Sequence, residues 1–211
     1  MNTRLPLLLS LTLSIAALST TSAQEIRLGG GYNGSNVNNA GTDRWTGRAG
    51  YQFGADIMLG NRFFVKPGIQ FMVRNMNYTV ATVDTSNVEV SNVEFRYTDR
   101  WLMVPVHVGV HLLDPADDHT VNAYIQAGPT ALFKLNADLN SANSTVTVNP
   151  AQWYFGGGAG VEISFIFIEA GYNVAMNKLF KDNDTFRDNF DTNPKVNQFY
   201  VTAGVRLKLA K

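Results

Sequence analysis

Gln152–Asn177, QWYFGGGAGVEISFIFIEAGYNVAMN, carries two period-2 patterns with almost no loop between them. Side chains alternate faces along a strand. Before Ser164, Trp153, Phe155, Gly157, Ala159, Val161 and Ile163 share one face, and Gln152, Tyr154, Gly156, Gly158, Gly160 and Glu162 share the other. After it, Ile166, Ile168, Ala170, Tyr172, Val174 and Met176 oppose Phe167, Glu169, Gly171, Asn173, Ala175 and Asn177. The reading is a tight hairpin with one apolar face. Its other face is mostly Gly, Asn and Gln with an occasional Glu, which suits a crowded, wet interior better than bulk water. A strand pair that is greasy outside and polar inside points to a transmembrane β-barrel.

Working outward, the same alternation recurs from Ile26 to Asn33, Trp45 to Leu59, Phe63 to Arg74, Leu102 to Leu112, Val121 to Lys134 and Gln198 to Leu209. With the two strands of the hairpin this makes eight segments of about 8 to 15 residues, in the range of the roughly 9–11 residues a tilted strand needs to cross a bilayer. The connections alternate long and short, and Gly60-Asn61 marks one short turn. The expected fold is therefore all-β: an eight-stranded antiparallel up-and-down transmembrane barrel. Short turns belong to the periplasmic side of such barrels and longer loops to the outside. Both termini are then periplasmic, and residues 35–44, 77–94, 136–149 and 178–195 are external.

Composition narrows the class further. The 211 residues carry 17 basic and 17 acidic side chains, so no basic excess calls for nucleic acid. Cysteine is absent, which removes disulfides, thiol catalysis and Cys-based zinc sites. Arg4, the apolar run Leu5–Leu18 and Thr21-Ser22-Ala23 read as an export signal cleaved after Ala23. Residues 1–23 are thus expected to be a signal peptide, and residues 24–211 the barrel.

Two sets of residues stand out. Tyr32, Trp45, Phe133, Trp153, Phe155 and Phe199 fall on outward rows at the external end, and they are expected to form an interfacial aromatic girdle. Arg27, Arg48, Asp56, Lys66, Arg74, Glu162, Glu169, Arg206 and Lys208 fall on inward rows. An unpaired charge there would be expensive, so a lumen-sealing network is expected, with Glu162 and Glu169 near Arg206 and Arg27 across the closing seam. The competing reading of the same charges is a proton or ion path. Met76, Tyr78 and Val80 continue the third strand on the opposite phase, as do Phe95 and Tyr97 before the fourth. Two phase changes, near Arg74-Asn75 and Thr98–Arg100, predict paired bulges and a hairpin projecting above the membrane, turning near Thr85-Ser86-Asn87. Its edge would suit a partner strand; the alternative is a polar loop with coincidental spacing.

Leu102-Met103-Val104-Pro105-Val106, Ala127-Gly128-Pro129, Gly156–Gly160 with Glu162, and Glu169-Ala170-Gly171-Tyr172-Asn173 resemble the PorT-like outer-membrane β-barrels of Gram-negative bacteria. The resemblance runs over essentially the whole chain after the signal, and it implies a barrel rather than a reaction. It also implies a link to the protein-secretion apparatus for which that family is named. The end Leu209-Ala210-Lys211 departs from the terminal aromatic common in such barrels.

Other chemistry is weak. His107 and His111 lie about 13 Å apart at strand rise, too far for one metal, and read as satisfied lumen histidines. Gly156–Gly160 lacks the strand-to-helix setting of a nucleotide loop. Asp182, Asp184, Asp188 and Asp191 miss the calcium-loop pattern, which Phe186 and Arg187 interrupt. No Ser-His-acid set converges externally. The expectation is a non-enzymatic outer-membrane barrel without cofactor or metal, whose partners are membrane lipid and a protein met at the external loops or in a secretion complex. A soluble lipocalin-like carrier of an apolar ligand in the periplasm would use the same alternation inverted.

Overall fold

The computed structural model describes residues 24–37, 44–83, 89–113, 120–139, 149–179 and 195–209. The signal segment, the hairpin tip at Thr85-Ser86-Asn87 and the acidic stretch Asp182–Asp191 lie outside these residues. The strands are β1 (Gln24–Val37), β2 (Arg44–Leu59), β3 (Phe63–Val83), β4 (Glu89–His111), β5 (Val121–Leu139), β6 (Ala151–Ile163), β7 (Ile166–Ala175) and β8 (Val196–Lys208). Each pairs antiparallel with the next, and β8 pairs with β1, so the sheet closes. Closure leaves no membrane-facing edge, which is what lets a sheet stand in hydrocarbon.

The β6–β7 hairpin shows how local sequence sets the wall. Ser164-Phe165 turns the chain, with Ser164 at φ 54°. At the β2–β3 turn Gly60 sits at φ 118°, a conformation that costs glycine nothing. On β6 and β7 the even row before the turn and the odd row after it are buried, while Trp153, Phe155, Ile168 and Val174 are exposed. Apolar side chains therefore face outward around the barrel, and polar ones face the lumen.

The inward rows change character with height. Toward the short-turn end they carry charge; toward the long-loop end they carry Trp45, Met72, Met76, Tyr97, Trp101, Met103, Leu132 and Tyr154, packed into one buried cluster with Leu179 and Val196. This corrects the phase changes expected on β3 and β4. The β3–β4 register runs without a shift from Phe63↔Val110 to Thr82↔Ser91. Met76 and Tyr97 are on the inward rows throughout; they are apolar because the upper lumen is an apolar plug. The β3–β4 pair shifts register only at Thr82/Val83 among the described residues, and at the height of the expected phase changes the bulges fall on the neighbouring strands instead. One lies between Arg48 and Tyr51 of β2, and another offsets β5 between Lys134 and Asn136, opposite Trp101 and Arg100.

β3 and β4 are the longest strands. The last described pairs of their neighbours are Arg44↔Thr79 between β2 and β3 and Tyr97↔Leu139 between β4 and β5. Above them residues 80–83 pair only with β4 and residues 89–96 only with β3 among the described residues, as a two-stranded ribbon. Its β4 arm extends roughly 25 Å at ordinary strand rise.

Candidate functional site: two polar layers across the lumen

The lower layer draws one side chain from every strand: Arg27, Asp56, Lys66, His111, Tyr124, Glu162, Glu169 and Arg206 in order from β1 to β8. All are buried. Glu169 is the hub: it is paired with Lys66, accepts from Tyr124 at 2.6 Å through Oε2, and accepts from the Tyr200 hydroxyl at 3.1 Å through Oε1. Arg27 donates to the Tyr124 hydroxyl at 2.7 Å and lies 3.6 Å from Asp56, 3.6 Å from Glu162 and 3.7 Å from Glu169. Its guanidinium also sits 3.8 Å above the Phe167 ring, a cation–π contact strengthened by exclusion of water.

The second centre of this layer is Glu162, paired with Arg206 and 3.6 Å from His111 Nε2. Arg206 also donates to Glu25 at 3.1 Å and to the Ser164 carbonyl at 2.9 Å. His111 Nδ1 lies 2.7 Å from the Asn61 carbonyl, which can only accept, so that nitrogen carries a proton. Arg27, Lys66 and Arg206 balance Asp56, Glu162 and Glu169. Matched charge with dense hydrogen bonding is what makes such burial affordable in free energy.

The upper layer is smaller. Arg74 is held by both carboxylate oxygens of Asp99, one bond measuring 3.0 Å, and donates to Gln152 Oε1 at 3.2 Å and the Tyr154 hydroxyl at 3.1 Å. Trp101 lies 5.3 Å from its guanidinium. Between the layers, Gln52 donates to Thr202 at 3.2 Å, and His107 is 3.4 Å from Thr130. A cavity there, bordered by Lys66, Gln70, His107, Glu169 and Tyr200, measures about 10 Å³, the size of one water.

The structure separates the nine charges expected inside. Arg27, Asp56, Lys66, Glu162, Glu169 and Arg206 meet in the lower layer, and Arg74 stands in the upper one. Arg48 and Lys208 are corrections, because both are exposed. The β2 bulge turns Arg48 outward, where it donates to Asn77 at 3.2 Å, and Lys208 is the last strand residue, below the layer. Glu169 is reached by Lys66 and Arg27, whereas Arg206 pairs with Glu162. The same bulge corrects the girdle: Trp45 is 2% exposed and points inward, while Tyr32, Phe133, Trp153, Phe155 and Phe199 are all at least 41% exposed. Tyr32 and Phe199 pack at 5.5 Å. Asp99, Tyr124 and Tyr200 were not singled out from the sequence. Their signal was their place on inward rows, opposite cations on other strands.

A closed eight-stranded sheet with apolar residues outward and neutralised charge inward is a membrane-spanning barrel of the outer-membrane class. The chain belongs to the family described as outer membrane protein beta-barrel domain, whose model matches residues 5–206. It is a protein of the outer membrane. Among solved structures it is similar to Ail, the attachment invasion locus protein of Yersinia pestis, at 13% identity and TM-score 0.47, covering 87% of this chain and 99% of that one. It is also similar to OprG from Pseudomonas aeruginosa, at 10% identity and TM-score 0.46 with 89% and 97% covered, and to Neisserial surface protein A, at 12% identity and TM-score 0.43 with 88% and 97% covered. No curated protein matches the sequence.

Proposed function

We propose that this chain is a non-enzymatic outer-membrane barrel, exported through a signal peptide cleaved after Ala23. Its lumen is sealed, and its long-loop end faces outward to serve structure, adhesion or partner binding. The observation that carries this reading is the pairing of a filled lumen with a wall that continues past the membrane. Two polar layers and an apolar plug occupy the interior, so the wall is a rigid support rather than a pore. The β3–β4 ribbon then extends beyond it, paired only within itself among the described residues, a surface suited to adding a strand from a protein partner.

A role as accessory subunit of a secretion apparatus rests on the PorT-like resemblance. Solubilising the membrane in mild detergent and sizing the protein tests it: a stoichiometric large complex supports that role, and a lone barrel opposes it. The soluble carrier reading fares worse, since the charges are inside and exposed apolar rows surround them.

The main reading is tested on whole cells. The chain has no cysteine, so Ser91→Cys in the ribbon gives one thiol for a membrane-impermeant maleimide. Labelling of intact cells, with a boiling-dependent gel shift of the outer-membrane fraction, is the expected result. Labelling only after the cells are opened would reverse the orientation.

A further inference from the structure

The outer wall of β2–β4 at the long-loop end carries a cationic patch. Arg48, Arg96 and Arg100 are all exposed there. Arg48 stands opposite Asn75, which stands opposite Thr98, and Arg96 and Arg100 flank Thr98 on the same face of β4. Strand spacing and rise put the three backbones within about 14 Å of one another. Beneath the arginines lies a hydrogen-bonded floor: Arg48 donates to Asn77 at 3.2 Å, Thr98 to Asn75 at 2.8 Å, and Asn75 to the Ala49 carbonyl at 2.7 Å. By backbone register Arg44 and Glu94 lie one row higher, across Thr79, and Asp138 stands opposite Thr98.

Its height gives the patch meaning. On the same wall, immediately nearer the short turns, Tyr51 and Phe53 are more than half exposed, and Phe53 packs on Phe71 at 5.2 Å. The arginines begin where this lipid-facing belt ends, at the depth of lipid headgroups. Guanidinium forks match phosphate oxygens, and their stems lie comfortably along apolar surface.

We propose that Arg48, Arg96 and Arg100 bind the phosphate groups of an outer-leaflet lipid headgroup. This rests on the outward orientation of the long-loop end proposed above. The binding test is made in detergent, where orientation plays no part, so the two ideas fail separately. The full barrel is mixed with diphosphorylated lipid A or its dephosphorylated form, and retained lipid is read by native mass spectrometry. The expected result is retention of the phosphorylated form alone, with about tenfold or greater loss in the triple variant R48Q/R96Q/R100Q. A second triple variant, K178Q/K195Q/K208Q, removes equal charge elsewhere and should keep the lipid. Both variants should show the boiling-dependent gel shift. Equal binding of the two lipid forms, equal loss in both triple variants, or full displacement by inorganic phosphate at the same concentration as the lipid would overturn the proposal.

Discussion

Lys66 on β3 and Glu169 on β7 stand four strands apart in an eight-stranded ring, on opposite walls, and their side chains meet across the lumen. The contact ties together residues 103 apart in sequence. A barrel wall is held by its ladder; this pair holds the walls to each other.

Removing one partner should therefore hurt more than removing both. Glu169→Ala leaves Lys66 and Arg27 buried with reduced compensation, and about 3–5 kcal/mol of stability should be lost. Replacing Lys66 with Met and Glu169 with Leu together should recover much of it. The denaturant midpoint of the refolded barrel reports both. An E169A barrel as resistant to denaturant as the parent would show that this pair does not hold the walls together.

Charge removed from the outer wall should behave differently. Arg48→Gln and Lys208→Gln touch exposed groups and should leave the unfolding midpoint where it was. Arg74→Gln, which strips the buried Asp99 of its fork, should lower it clearly. Were R48Q as damaging as R74Q, the outward placement of Arg48 would be wrong.

The two polar layers act in series. Neither Arg74→Ala nor Glu169→Ala alone should give steady conductance, because the other layer still closes the lumen; only the double variant should conduct. A single variant that opens a stable channel would mean that the second layer does not seal.

The three tryptophans offer a direct reading of the wall. Trp153 is 52% exposed on the lipid side, whereas Trp45 and Trp101 are 2% and 0% exposed inside the plug. Brominated lipid should quench fluorescence mainly through Trp153, and Trp153→Phe should abolish most of the quenching. Trp45→Ala should instead cost about 3–5 kcal/mol through the cavity it leaves.

Glycine packing can be tested by a pair of alanines. A Cβ on Gly160 would lie 2.2 Å from the ring of Tyr124, which Arg27 and Glu169 hold in place. Gly160→Ala should cost about 1–3 kcal/mol. At Gly30 the nearest atoms would be 3.4 Å away, an ordinary contact, so Gly30→Ala should be close to neutral in the same unfolding assay.

Much of this barrel was legible in the sequence. Period-2 alternation needs no partner to be read: Trp153 to Ile163 and Ile166 to Met176 declare their faces alone, and eight such segments with long and short connections imply closure and membrane setting. Conserving that phase across a bulge is another matter. The extra residue near Arg48 and Tyr51 turns Trp45 inward and Arg48 outward, and it exists only relative to the register of β3. Met76 and Tyr97 read as outward because they are apolar, yet the upper lumen is itself an apolar core. Which carboxylate meets which cation depends on who stands opposite in a closed ring. Glu169 finds Lys66 rather than Arg206 because strands four apart face each other across the axis. Alternation is a property of one strand, so the sequence by itself determined faces and class; bulge phase and cross-lumen pairing belong to the assembled sheet, and only tertiary structure decided them.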